Sequence, residues 1–113
     1  SVDLKNVQSL GNSFGNCVAL KKIYLPQTIK SVGTDAFSGC KNLEEVTVEK
    51  GFAAPLKLSA STKFTQATLH ALIESLADLT GTDSKTLTIG TTNIAKLDEK
   101  HKTMLTDKNW TLK

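Results

Sequence analysis

The sequence predicts an α/β solenoid: short coils stacked on one another through a parallel ladder of short strands. Turns are loop-like in the N-terminal half and helical in the C-terminal half. Three observations carry this. Phe, Cys and Leu positions recur every 23 residues between Phe14 and Val48. Short segments such as Ile23-Tyr24-Leu25 and Val46-Thr47-Val48 alternate apolar and polar residues, as half-buried strands do. Apolar residues at helical spacing begin only after Thr65. A coil of about 23 residues cannot cover its own apolar face, so each one needs a neighbour.

The elements follow in order. Val2-Asp3-Leu4 resembles Ile23-Tyr24-Leu25, and Val7 to Gly11 resembles Ile29 to Gly33, so a first unit two residues shorter opens the chain. In the next unit, Ile23 and Leu25 point inward and Pro26 ends the strand. Ile29 and Val32 return to the core, Gly33 turns the chain, Ala36-Phe37 form a buried wall, and Leu43 leads into the strand Val46-Thr47-Val48. Residues 49–55 connect to a second kind of unit. Leu56 and Leu58 alternate as a short strand. Thr65 is an N-cap, and Leu69, Leu72, Ile73 and Leu76 mark a helix over 66–79 with Gly81 as its stop. Leu87-Thr88-Ile89 is the next strand, and Gly90, Thr91 and Thr92 form a turn. Ile94, Leu97, His101, Met104 and Leu105 belong to a second helix capped by Asp98, with Glu99 in its first turn. Asn109 ends it in a left-handed conformation, and Trp110-Thr111-Leu112 is the last strand. Leu87/Ile89 and Trp110/Leu112 are again 23 residues apart, which predicts one ladder running through the whole chain. Residues 1–113 then form a single domain, with repeats over 1–50 and helix-containing repeats plus a cap over 51–113.

The chain has 113 residues and a net charge of +3, with 14 basic and 11 acidic side chains. Every basic residue is Lys, so the bidentate Arg contacts that read phosphate or guanine are absent. The lysines are interspersed with acids along the chain, and six aromatic residues do not make a stacking platform. Nucleic acid is therefore not an expected partner. No run of residues is long and apolar enough to insert in a membrane, and no signal peptide or anchor is visible.

No motif carries chemistry. Glu44, Glu45 and Glu49 could suggest paired carboxylates, but they flank a strand and face solvent. His70 and His101 lie on separate helices, one solvated and one at the edge of the core stripe, and no set of ligands has metal spacing. No catalytic residue, metal or cofactor is expected. Cys17 and Cys40 occupy the same repeat position on neighbouring coils. A disulfide is conceivable there, but equivalent side chains point in parallel, which favours buried free thiols.

Residues 14–48 resemble the BspA-like, Treponema-type leucine-rich repeats. The resemblance rests on Phe14-x-x-Cys17-x-x-Leu20-x-x-Ile23-x-Leu25-Pro26 and on Ala36-Phe37-x-Gly39-Cys40-x-x-Leu43-x-x-Val46-x-Val48, with Asn16 standing at the Gly of the usual Gly-Cys step. Residues 56–112 resemble the helix-bearing C-terminal units of such proteins. The start within a repeat strand suggests further repeats upstream. The resemblance implies a leucine-rich-repeat fragment of a bacterial cell-surface or secreted protein. Its expected role is adhesion or protein binding without catalysis, with a host or bacterial surface protein as partner and a glycan as the second choice. The outward ladder positions Asp3, Tyr24, Thr47, Lys57 and Thr88, continued by Thr111, form the expected contact face, and Tyr24 is its best anchor. The alternative role is a terminal cap or spacer of a longer array, with the ligand bound elsewhere.

Overall fold

The structure, a computed structural model, describes residues 4–113. Its elements are β1 (Lys22–Leu25), β2 (Glu45–Val48), β3 (Leu56–Lys57), α1 (Gln66–Ser75), β4 (Lys85–Thr88), α2 (Gly90–Ile94), α3 (Glu99–Asp107) and β5 (Trp110–Leu112). All strand pairing is parallel, in two separate sheets: β1-β2 and β3-β4-β5. Repeat units with short parallel strands and helices are thus present, but among the described residues the single ladder expected from the spacing is not.

Each repeat has three sides. The first side carries β1 and then β2, which pair 23 residues apart with Ile23 beside Val46 and Leu25 beside Val48. All four of these side chains are buried, and Lys22, Tyr24, Glu45 and Thr47 alternate outward. Where a third strand would come, α1 packs against β2, and α3 then packs against α1. The second side begins with the bridge between Ser9 and Ser31 and continues with β3, β4 and β5. β3 follows β2 in the chain as Ser31 follows β1, and Lys57 lines one depression with Thr34 and Asp35. The strands therefore change sides between the two halves. The physical reason lies in residues 49–55. Gly51 N–H donates to the Ser75 carbonyl and Ala77 N–H to the Phe52 carbonyl, so the backbone after β2 is satisfied by the end of α1.

The third side is built from turns, and its equivalent residues stack. The Phe14 and Phe37 rings are parallel, with centroids 5.7 Å apart. One side chain per repeat reaches back to the preceding backbone. Cys40 Sγ donates to the Phe14 carbonyl at 3.0 Å, Ser61 Oγ to the Cys40 carbonyl at 2.8 Å, and Asn93 Nδ2 to the Ser61 carbonyl at 2.7 Å. Cys40, Ser61 and Asn93 are all fully buried, so these bonds satisfy carbonyls that water cannot reach. Both cysteines are free thiols. The residue before each Cys is left-handed, with φ 61° at Asn16 and 74° at Gly39, which is why Asn can stand in the Gly position. Gly33 has a different role: a Cβ there would lie 2.5 Å from the Gly11 carbonyl oxygen, so the close approach of two coils requires glycine.

The helices differ from expectation at their ends. Thr65 caps α1 by accepting from Thr68 N–H, as predicted. The helix stops at Ser75 and not at 79, because Leu76 turns extended and pairs with Phe52. Lys108 replaces a local stop: its Nζ donates to the carbonyls of Ile73, Glu74 and Leu76 at 2.9–3.1 Å. Gly90 to Thr92, expected as a turn, and Ile94, expected in the second helix, belong to the separate short helix α2. Asp98 caps α3, and Asn109 is left-handed at φ 66°. β5 pairs Trp110 with Lys85 and Leu112 with Leu87, 25 residues apart and not 23. The slip is of two residues, so the inward and outward faces are kept. Buried apolar residues from Leu4 to Trp110 form one continuous cluster.

Candidate functional site

The strand face of the first side presents an exposed aromatic ring on paired strands. Tyr24 is 50% exposed, and among the described residues only Val18 is a comparably exposed large apolar side chain. The β1-β2 register sets Tyr24 beside Thr47 and Lys22 beside Glu45, whose charged ends are 3.9 Å apart. Next to this row, Lys22, Glu44 and Glu45 face Lys63, Thr65 and Thr68 across a groove of about 320 Å³. The face thus offers an aromatic ring, hydroxyls and charges of both signs. Lys22 and Lys63 are not singled out in the sequence, and Glu45 enters there only as a solvent-facing carboxylate. The alternation of β1 and β2 already places Lys22 and Glu45 outward, but Lys63 joins them only because α1 succeeds β2.

The five expected contact residues do not form one row. Tyr24 and Thr47 are neighbours. Lys57 and Thr88 are also neighbours, but in the other sheet, on the second side. Lys57 is exposed and Thr88 half-buried. Thr111 is exposed and pairs with Thr86, its hydroxyl 3.2 Å from that of Ser84. Asp3 lies outside the described residues. The continuous ladder face is corrected to two patches on different sides, because α1 takes the position beside β2 that a strand would have filled.

The histidines are also corrected. His70 on α1 and His101 on α3 are not apart: their rings stack at 3.6 Å, within 7° of parallel. His70 is half-buried rather than solvated, and His101 is buried. His101 Nδ1 meets Asp98 Oδ1 at 2.6 Å, and its Nε2 meets Glu74 Oε2 at 2.7 Å. With an acceptor on each nitrogen, the ring is suited to the doubly protonated form. Burial opposes that charge, but the hydrogen bonds to Glu74 and Asp98 and their negative charges outweigh it and raise the His101 pKa. Glu74 is held below its ordinary value by the hydrogen bond from His101. Asp98 is lowered first by the bond from the His101 backbone N–H and then by the imidazole. His70 Nε2 accepts from the Asp98 backbone N–H at 3.3 Å and lies 3.7 Å from Asp98 Oδ1. Potential ligand atoms of His70, Asp98 and His101 all fall within 4.8 Å of one another. Spacing could not reveal this, since residue 70 meets residues 98–101 only through the packing of two helices.

The family described as BspA type Leucine rich repeat region (6 copies) matches residues 10–86. The chain belongs to this BspA-type leucine-rich-repeat family. No match was found among curated proteins or among solved structures. BspA-type repeats are generally surface- or adhesion-associated modules of protein interaction and are typically non-enzymatic. The match spans β1, β2, β3, α1 and the first half of β4, so it includes the place where the strands change sides. In this BspA-type chain the buried Cys40 thiol is a structural donor. Burial raises the Cys40 pKa and outweighs the lowering by the Cys17 backbone hydrogen bond, so Cys40 stays protonated at neutral pH. Among the described residues, no helix is long and apolar enough to cross a membrane.

Proposed function

We propose that this chain is a non-enzymatic protein-binding or adhesion module of a bacterial cell-surface or secreted protein. In this reading residues 1–113 are one solenoid segment. Its contact face is the first side, where Tyr24 and Thr47 stand beside the groove between Lys22, Glu44, Glu45 and Lys63. The observation that carries the reading is Tyr24, a half-exposed aromatic ring on a rigid strand amid charges of both signs. Such a ring can be buried by a partner at little conformational cost. The preferred partner is a host or bacterial surface protein, with a glycan second. The test is direct binding of the purified chain to host matrix proteins, mucins and bacterial glycans. Saturable binding weakened at least tenfold by Tyr24→Ala, with unchanged thermal stability, supports the face. Binding untouched by Tyr24→Ala removes it, and no binding at all favours the second reading.

That second reading is a terminal cap or spacer of a longer array. It is favoured by the helices α1 and α3, which take the place of strands on the first side, and by Trp110, whose Nε1 donates to the Ala77 carbonyl at 2.9 Å. A helix laid against β2 covers a strand edge that would otherwise pair with other chains. Truncation after Gly51 is expected to give aggregated or unfolded protein. A folded, monomeric product would remove the capping reading.

A further inference from the structure

We propose that His70, Asp98 and His101 bind a divalent transition-metal ion of the zinc class, joining α1 to α3, with Glu74 as the outer carboxylate that orients His101. The donor set is two imidazoles and one carboxylate, which suits Zn²⁺ far better than Ca²⁺ or Mg²⁺. Zinc holds such ligands at about 2.0–2.2 Å, so tetrahedral ligand atoms lie about 3.3 Å from one another. His101 Nδ1 and Asp98 Oδ1 are 2.6 Å apart, and His70 Nε2 and Asp98 Oδ1 are 3.7 Å apart. Moving from these separations to the ligated ones takes shifts of about 0.7 Å and 0.4 Å.

The stacked rings are parallel, so His70 must tilt for its lone pair to converge with that of His101. Rotation about the last torsion of a histidine is soft. The bond that His70 gives up, from the Asp98 N–H at 3.3 Å, is long. The Asp98 side chain is 47% exposed, which leaves room for water as a fourth ligand. Behind His101, Glu74 Oε2 already accepts from Nε2 at 2.7 Å. A carboxylate on the far nitrogen of a ligating imidazole is the usual second partner of a metal-bound histidine, because it fixes the ring and makes the near nitrogen a better donor. On binding, the ion takes the place of the proton between His101 Nδ1 and Asp98 Oδ1. That proton leaves to solvent, while Nε2 keeps its own. Lys100 acts electrostatically on Glu74 and thus stands outside the donor set.

The site would lock the two helices that replace the strands of the first side. The test uses the whole 113-residue chain, freed of metal with a chelator and titrated calorimetrically with Zn²⁺, with Ca²⁺ in parallel. One Zn²⁺ per chain, a rise in melting temperature and no Ca²⁺ binding are expected. His70→Ala should weaken Zn²⁺ binding at least tenfold and abolish most of the rise in melting temperature on adding Zn²⁺, each variant being compared with its own metal-free melt. Glu74→Gln should weaken it about tenfold through the outer partner. X-ray absorption at the zinc edge on the unmodified chain gives an answer independent of any variant, and two imidazoles with no sulfur are expected. Absence of saturable binding, binding unchanged by His70→Ala, or a sulfur ligand from Cys17 would overturn the proposal.

Discussion

The two halves of the molecule are held together by different chemistry. From Leu4 to Lys50, neighbouring repeats are joined mainly backbone to backbone. Leu10 N–H donates to the Ser31 carbonyl, Asn16 to Ser38, Gly33 to Gly11 and Glu49 to Leu25, all between repeats of nearly constant length. From Gly51 onward the spacing of paired strand residues changes, with Leu56 beside Leu87 and Leu87 beside Leu112. Helices occupy the first side there, and a helix spends its amides internally and has none to offer a neighbour. Backbone pairing continues in β3, β4 and β5, and on the helical side long side chains add to it. Lys85 Nζ donates to the Ala53 carbonyl, Lys96 Nζ to Thr62 and Phe64, Lys108 Nζ to the end of α1, and Trp110 Nε1 to Ala77. The regular repeats add short side-chain donors such as Cys40, Thr28 and Asn42, whereas the irregular ones use long donors that span variable distances. Three lysines that belong to a mixed surface charge in the sequence are thus structural ties.

The largest expected effect joins the halves. Phe52 is fully buried where the first half hands over to the second. Phe52→Ala should cost about 3–5 kcal/mol and lower stability of both halves in one urea transition. Hydrogen exchange showing β1-β2 still protected while α1 opens would instead make the halves independent.

Next comes the contrast between lysines. Lys108→Met removes three bonds to carbonyls at the end of α1 and should cost about 2 kcal/mol. Lys22→Met breaks only an exposed ion pair and should cost about 0.5 kcal/mol or less. Equal denaturant midpoints for the two variants would end the distinction between ties and surface charge.

Asn93→Ala is expected to cost about 1–2 kcal/mol, because it leaves the Ser61 and Ile89 carbonyls without the Asn93 donor. Cys40→Ala should cost less, since a thiol is a weak donor. Reversal of that order in thermal melts would show that the turn side is ruled by volume and not by hydrogen bonding. The smallest effect is kinetic. Burial raises the Cys40 pKa, so the thiolate needed for alkylation is scarce below that value and grows only as pH rises toward it. Iodoacetamide at pH 8 should label half-buried Cys17 first, with no dependence on prior reduction. Equal labelling would contradict the protected thiol.

The regular half was legible in the sequence because its determinants are local. The pleat of β1 and β2, the break at Pro26 and the buried Ala36-Phe37 wall each follow from a few adjacent residues. So do the caps Thr65 and Asp98. The length of α1 was not legible, because Leu76 continues the helical pattern but its backbone is claimed by Phe52. Of the contact face, the pairing of Tyr24 with Thr47 follows from the 23-residue repeat. Its separation from Lys57 and Thr88 does not, because both outcomes use the same alternation of inward and outward residues.

By itself the sequence determined the repeat, the direction the residues of β1 and β2 point, the starts of α1 and α3 and much of the buried apolar set, though not Phe52 or Phe64. Period, capping and glycine-like positions are written within one unit of chain. Only the tertiary structure decided which side carries the strands, which lysines reach a neighbouring carbonyl, and that His70 stacks on His101 between Asp98 and Glu74. These depend on how repeats of unequal length come to rest against each other. Backbone hydrogen bonds and side-chain reach fix that across some 30 residues of chain, beyond the range of any local pattern.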